Sequence, residues 1–132
     1  MTANQRILLI DDSVLVVEAI SEALVEDGVE VEGVTDLAAL DHSQRLGRFD
    51  LILIDVQMPA MFGDDVAMVI RQGHSGTTPI VLLSSLPEAQ LAERARQAGV
   101  NGYISKRRGI DNVVAEIRTW LANTQPQRQQ GA

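Results

Sequence analysis

Five short apolar runs, near residues 6–10, 29–34, 49–56, 79–84 and 102–105, alternate along this chain with longer stretches of helical period. Runs this short bury their backbone only by pairing with one another. Strand–helix–strand alternation joins such strands through right-handed crossovers, so the pattern predicts a parallel sheet wrapped by helices on both faces. In a sheet of this kind ligands bind beyond the carboxyl ends of the strands, near the switch in strand order.

The elements can be placed in more detail. Ser13 starts a first helix with Val17, Ile20 and Leu24 on one face, ended by Gly28. Val29, Val31, Gly33 and Val34 alternate with Glu30 and Glu32, which suits an edge strand with one wet face. A short helix is expected over 36–46. The 49–56 run is the most apolar and β-branched, which suits a central strand buried on both faces. A loop with Met58-Pro59 and Gly63 leads to a helix over 65–72, capped by Asp64 and ended by Gly73. After the fourth strand, Ser85 and Glu88 have capping-box spacing for a helix that stops at Gly99. Asp111 is expected to cap a fifth helix with Val114, Ile117, Trp120 and Leu121 turned inward. The domain is expected to span 1–123, and the Gln-rich stretch 124–132 reads as a polar flexible tail or the start of a linker.

What stands at the strand ends points to chemistry. Asp11 and Asp12 follow Ile7-Leu8-Leu9-Ile10, Asp55 follows Leu51-Ile52-Leu53-Ile54, and Lys106 closes Gly102-Tyr103-Ile104-Ser105. In a parallel sheet these side chains meet at one edge. A lone strand-end aspartate is more often a turn residue or helix cap than a ligand, so the convergence carries the reading. Crowded carboxylates repel one another, and the cluster is expected to hold a hard metal ion with the lysine facing it.

Composition narrows the alternatives. The 132 residues suit one domain, and 45% hydrophobic with 3% aromatic content implies a core of Val, Ile, Leu and Ala. There is no cysteine, hence no disulfide or thiolate metal site. No apolar run nears the ~18 residues of a membrane span, and no basic, apolar leader precedes the first strand, so a cytoplasmic protein without membrane contact is expected. The net charge of −7 disfavours direct nucleic-acid binding. Small cations and proteins are the expected partners. His42 and His74 have no second ligand at metal spacing and read as surface residues.

In order, Asp11-Asp12, Asp55-Val56-Gln57-Met58-Pro59 with Gly63, Ser84 after Pro79-Ile80-Val81-Leu82-Leu83, and Gly102-Tyr103-Ile104-Ser105-Lys106 resemble the receiver domains of two-component response regulators, over about residues 6–122. The resemblance implies a flavodoxin-like, five-stranded parallel sheet in the order 2-1-3-4-5, an order for which a receiver is already a standard example. It implies Mg²⁺-dependent phosphotransfer from a phosphohistidine, on a histidine kinase or phosphotransfer protein, to Asp55. Mg²⁺ would be held by Asp12, Asp55 and the Gln57 main-chain carbonyl, with Asp11 acting through water. Lys106 and Ser84 would each contact a phosphoryl oxygen. Ser84 and Tyr103 would form a two-state switch acting on the face of the fourth helix, fifth strand and fifth helix, where a downstream protein partner or a second receiver binds. As a plain edge-strand residue Tyr103 would need no functional account. The domain would catalyse only its own phosphorylation and dephosphorylation and is not otherwise an enzyme.

Departures from that pattern are specific. Most receivers carry a proline after the lysine, preceded by a cis bond, whereas Arg107 and Arg108 follow here. Because a cis bond before a nonproline residue costs about 3–4 kcal/mol, a trans bond and a repositioned loop are expected, with the two arginines as a small basic spot that either greets an anionic partner or is simply solvated. Gln57 and Leu86 occupy positions that tune the lifetime of the modified state in this family, and an apolar Leu86 suggests shielding and slow self-hydrolysis. A haloacid-dehalogenase phosphatase would need a second aspartate where Gln57 stands. Acidic Asp11-Asp12 would repel a flavin phosphate, and no P-loop is present. The remaining alternative is a phosphorylation-independent, receiver-like interaction scaffold. With no DNA-binding or enzymatic output domain, the chain is expected to be a stand-alone receiver or an excised domain.

Overall fold

The computed structural model describes residues 5–35, 49–57 and 78–130, with side chains to Asn123. Its elements are β1 (Arg6–Ile10), α1 (Val14–Val25), β2 (Glu30–Val34), β3 (Leu51–Asp55), β4 (Ile80–Ser84), α2 (Glu88–Ala98), β5 (Gly102–Ser105), a 3₁₀ turn (Lys106–Arg108) and α3 (Ile110–Gln130). Here α2 and α3 are the fourth and fifth helices expected from the sequence. The helices expected over 36–46 and 65–72, the Met58-Pro59 loop, Asp64, Gly73 and both histidines lie outside the described residues.

All strand pairs are parallel, in the order β2-β1-β3-β4-β5. This is the flavodoxin-like arrangement. β3 is central and buried throughout, as its unbroken apolar run requires. β2 lies at an edge, where Glu30 and Glu32 reach out to Arg6 at 3.5 and 3.8 Å. These pairs are solvent-screened and contribute little to stability, though charge on an edge strand discourages pairing with other chains.

Strand alternation divides the core. Leu8, Ile10, Ile52, Ile54 and Leu82 form one cluster with Leu91 and Ala95 of α2. The alternate residues Ile7, Leu9, Leu51, Leu53, Val81, Leu83 and Ile104 pack with Ile20 and Leu24 of α1 and with Val113, Val114, Ile117 and Leu121 of α3. Trp120 is half-buried beside this second cluster, so the expected inward stripe of α3 is present.

Helix ends follow local chemistry, with two corrections. Ser13 caps α1, its Oγ accepting from the Val16 N–H at 3.3 Å. Gly99 ends α2 in the left-handed conformation at φ 72°, as expected of a glycine stop. The Ser85–Glu88 capping box does not form: Pro87 is the N-cap of α2 with no side-chain cap bond, and Glu88 turns instead to Arg108 at 2.7 Å. Asp111 is not the cap of α3 but lies within its first turn, because the helix already begins at Ile110 after Gly109. A carboxylate there still complements the partial positive charge of the helix N-terminus. The backbone of α3 stays helical to Gln130, across the 123/124 boundary expected to open a flexible tail.

Gly102 lets α3 approach the start of β5. A Cβ on Gly102 would lie 2.5 Å from Cζ2 of Trp120. Gly102→Ala is therefore expected to destabilise the fold by about 1–3 kcal/mol through displacement of the indole. Denaturant unfolding should show a lower midpoint at unchanged slope, and the loss should shrink when Trp120 is also replaced by Leu.

Candidate functional site

Strand register assembles the site. Ile10 pairs with Ile54, so Asp11, one residue past β1, is level with Asp55, the last residue of β3. Asp11 continues the alternation of Ile7 and Leu9, and Asp55 that of Leu51 and Leu53, which puts both on the α1/α3 side of the sheet. Both following turns are tied alike: Asp11 Oδ1 accepts the Ser13 N–H and Asp55 Oδ1 accepts the Gln57 N–H, each at 2.9 Å. Each Oδ2 is then directed at Lys106, whose Nζ lies 2.7 Å from Asp11 Oδ2 and 3.6 Å from Asp55 Oδ2.

Burial sharpens the electrostatics. Asp11 is 0% and Asp55 3% exposed, while Asp12 sits on the exposed rim. Burial, the largest influence, pushes the Asp55 carboxyl above the ordinary carboxylate range; the Gln57 N–H and Lys106 pull it down, and Asp11 and Asp12 raise it again. The site thus holds a buried carboxylate at a cost that the Lys106 ammonium only partly offsets.

The donor set fits a hard divalent ion. One carboxylate oxygen from each of Asp11, Asp12 and Asp55 lies within 4.8 Å of the others. Asp11 Oδ2 is buried and, beyond its ion-pair contact with Lys106, has no hydrogen-bonded partner. Three ionised carboxylates against one ammonium leave two negative charges, which Mg²⁺ would cancel through oxygen ligands, its preferred donors.

Lys106 therefore reaches the cluster without the usual proline after it. The described residues contain no cis peptide bond, as expected, and Lys106–Arg108 close a 3₁₀ turn. The two arginines do not form a merely solvated spot. Arg107 Nε donates to the Ser85 carbonyl at 2.6 Å, and Arg108 pairs with Glu88.

Ser84 lies on the other face, in phase with Ile80 and Leu82, and is fully buried. Its Oγ donates to Gln57 Oε1 at 2.9 Å and accepts from the Leu86 N–H at 3.0 Å. Tyr103 shares this face, half-buried against the α2-side cluster, and is not brought to the carboxylates. Leu86 packs on the same cluster. The bonds of the Gln57 amide to Ser84 and Ser85 and the contact of Arg107 with Ser85 were not legible in the sequence, which marked Gln57 only as a position that tunes the modified state in the family and as a main-chain metal ligand, and Arg107 only as an unusual residue after Lys106.

Comparison with known proteins agrees with this geometry. Residues 7–118 match the model of the response regulator receiver domain. A transcriptional regulatory protein of Mycobacterium tuberculosis, PdtaR, is 32% identical over 86% of this chain and 55% of its own length. The chain spans about half the length of the curated relatives it matches. Among solved structures, the chemotaxis response regulator CheY4 of Vibrio cholerae is 26% identical, with a TM-score of 0.73 over 89% of this chain and 99% of its own. The non-phosphorylated HemR receiver domain of Leptospira biflexa shares the fold, with a TM-score of 0.78 at 24% identity over 89% of this chain and 94% of its own. Among the described residues no helix is long and apolar enough to cross a membrane.

The raised Asp55 pKa has a definite sign in stability. Between the ordinary value of 3.8 and the raised one the folded state binds more protons than the unfolded state, so stability falls as pH rises through that window. Without metal, Asp55→Asn is expected to raise the melting temperature at pH 7 by a few degrees, with the gain disappearing as pH falls below that window. Equal or lower stability of the variant at pH 7 would contradict the charge balance described here.

Proposed function

This chain belongs to the response regulator receiver domain family, and from that premise we propose that Asp55 accepts a phosphoryl group from the phosphohistidine of a histidine kinase or phosphotransfer protein. The observation that carries the reading is the position of Asp55 Oδ2, turned toward Lys106 beside Asp11 and Asp12 while Oδ1 is held by Gln57. Oδ2 is thus the attacking oxygen. Its bond to phosphorus forms as the phosphorus–nitrogen bond of the donor breaks, and that electron pair returns to the imidazole.

Asp12, Asp55 and the Gln57 carbonyl would hold Mg²⁺, with Asp11 as a water-mediated ligand. When bound, the ion supplies the charge neutralisation that lets an anionic donor approach an anionic nucleophile. Lys106 offers its ammonium to one phosphoryl oxygen, and the Ser84 hydroxyl, once turned inward, serves another. Movement of Ser84 would vacate space for the half-buried Tyr103 ring, altering the surface of α2, β5 and α3 to which a downstream protein or a second receiver binds. Val14 and Leu15, 55% and 79% exposed at the start of α1 beside Asp12, supply an apolar rim for a protein donor. The proposed setting is the cytoplasm, with no direct contact to nucleic acid or membrane, and with catalysis limited to the domain's own modification. Any output of a longer protein, as in relatives of about twice this length, would pass through that surface.

Incubation with Mg²⁺ and acetyl phosphate, read by intact mass, tests the assignment. Wild type is expected to gain one phosphoryl group, Asp55→Asn none, and Lys106→Ala at most a few per cent of the wild-type rate. No gain in wild type with either acetyl phosphate or a phosphorylated kinase would leave a receiver-like scaffold as the function.

A further inference from the structure

We propose that Gln57 is a positioning residue whose side-chain carbonyl holds Ser84 away from the phosphoryl position, so that phosphorylation requires this bond to break; the proposal rests on Asp55 being the acceptor. One oxygen, Gln57 Oε1, accepts from three donors: Ser84 Oγ at 2.9 Å, Ser85 N–H at 3.2 Å and Ser85 Oγ at 2.9 Å. A main-chain N–H can only donate, so the Ser85 contact fixes which end of the amide faces the serines. Gln57 is an exposed, rotamer-rich side chain, and three donors converging on it oppose the entropy that would leave it loose in solvent.

The consequence for Ser84 follows from proton counting. A serine hydroxyl has a single hydrogen to donate. In the unmodified protein that hydrogen is given to Gln57, while the Ser84 oxygen accepts from Leu86. A phosphoryl oxygen on Asp55 needs the same hydrogen. Phosphorylation therefore exchanges one acceptor for another, and the strength of the Gln57 contact subtracts from the gain.

Two further contacts give the exchange leverage. The Gln57 main-chain N–H is bonded to Asp55 Oδ1, so one residue grips the acceptor at its backbone and Ser84 at its side chain. When Oδ2 is phosphorylated, Oδ1 loses its negative charge and that backbone bond weakens. From the opposite side Arg107, where most receivers have proline, holds the Ser85 carbonyl at 2.6 Å. The Ser84–Leu86 segment is thus tied to the turn after β3 and to the turn after β5. Gln57 is the tie that competes directly with phosphate.

Four proteins decide the matter: wild type, Gln57→Ala, Ser84→Ala and the double variant, each labelled with acetyl phosphate and Mg²⁺ and followed by intact mass. The Gln57 main-chain carbonyl, and with it the proposed metal ligand, survives in every one. Gln57→Ala is expected to label roughly three- to tenfold faster than wild type, the range spanned by one ordinary hydrogen bond. In the Ser84→Ala background the same substitution should change the rate less than about twofold, because the restrained hydroxyl is gone. Amide hydrogen exchange of the unphosphorylated proteins supplies a second readout, with the Ser85 amide exchanging faster in Gln57→Ala than in wild type. A Gln57→Ala rate equal to or below wild type, or an equal acceleration with and without Ser84, overturns the proposal. Failure of wild type to label with acetyl phosphate and with a phosphorylated kinase alike, or labelling that persists in Asp55→Asn, removes Asp55 as the acceptor and the proposal with it.

Discussion

The ion pair between Lys106 and Asp11, at 2.7 Å with the carboxylate fully buried, is the contact on which the site depends. A buried carboxylate without a cation costs several kcal/mol, and here two of them lie at adjacent strand ends. Among the described residues, Lys106 is the one ammonium positioned against both. Its hold is unequal, closer to Asp11 than to Asp55, which leaves Asp55 the less neutralised of the pair, and burial, the largest influence, raises the Asp55 pKa. The arrangement favours a second cation and, after it, an anion that both cations can share.

The two faces of the sheet divide the work. Alternation puts Asp11 and Asp55 on the α1/α3 side with Lys106, whereas Ser84 and Tyr103 fall on the side of α2. Charge is therefore gathered on one face, and the buried Ser84 hydroxyl and half-buried Tyr103 ring lie on the other. Gln57 links the two, with its backbone on Asp55 and its amide on Ser84 and Ser85. On the proposed function, a change of charge at Asp55 would pass through Gln57 to Ser84 and Ser85.

Much of this was legible because it rests on period and position. Apolar runs and their alternation sufficed for the five strands, and the residues closing those runs had to meet at one edge. Strand order came from the family resemblance, because hydrophobic period is blind to which parallel neighbours pair. Local polar pairing was less legible, since a side chain chooses among competing partners only once the chain has folded. Ser85 has the spacing of a capping box, yet Gln57 takes its hydroxyl and Arg108 takes Glu88. Asp111 missed the cap by lying inside a helix that had already begun at Ile110. The Arg107–Ser85 bond joins residues 22 apart, beyond the reach of any local pattern.

Calorimetric titration of Mg²⁺ into wild type and Lys106→Met tests most directly whether the carboxylates and the ammonium form one electrostatic unit. Removing the ammonium leaves the three carboxylates more negative, so one Mg²⁺ should bind severalfold more tightly to the variant, with the advantage falling at high salt. Unchanged or weaker binding by Lys106→Met would mean that Lys106 and the metal ligands do not share a field, which contradicts the account.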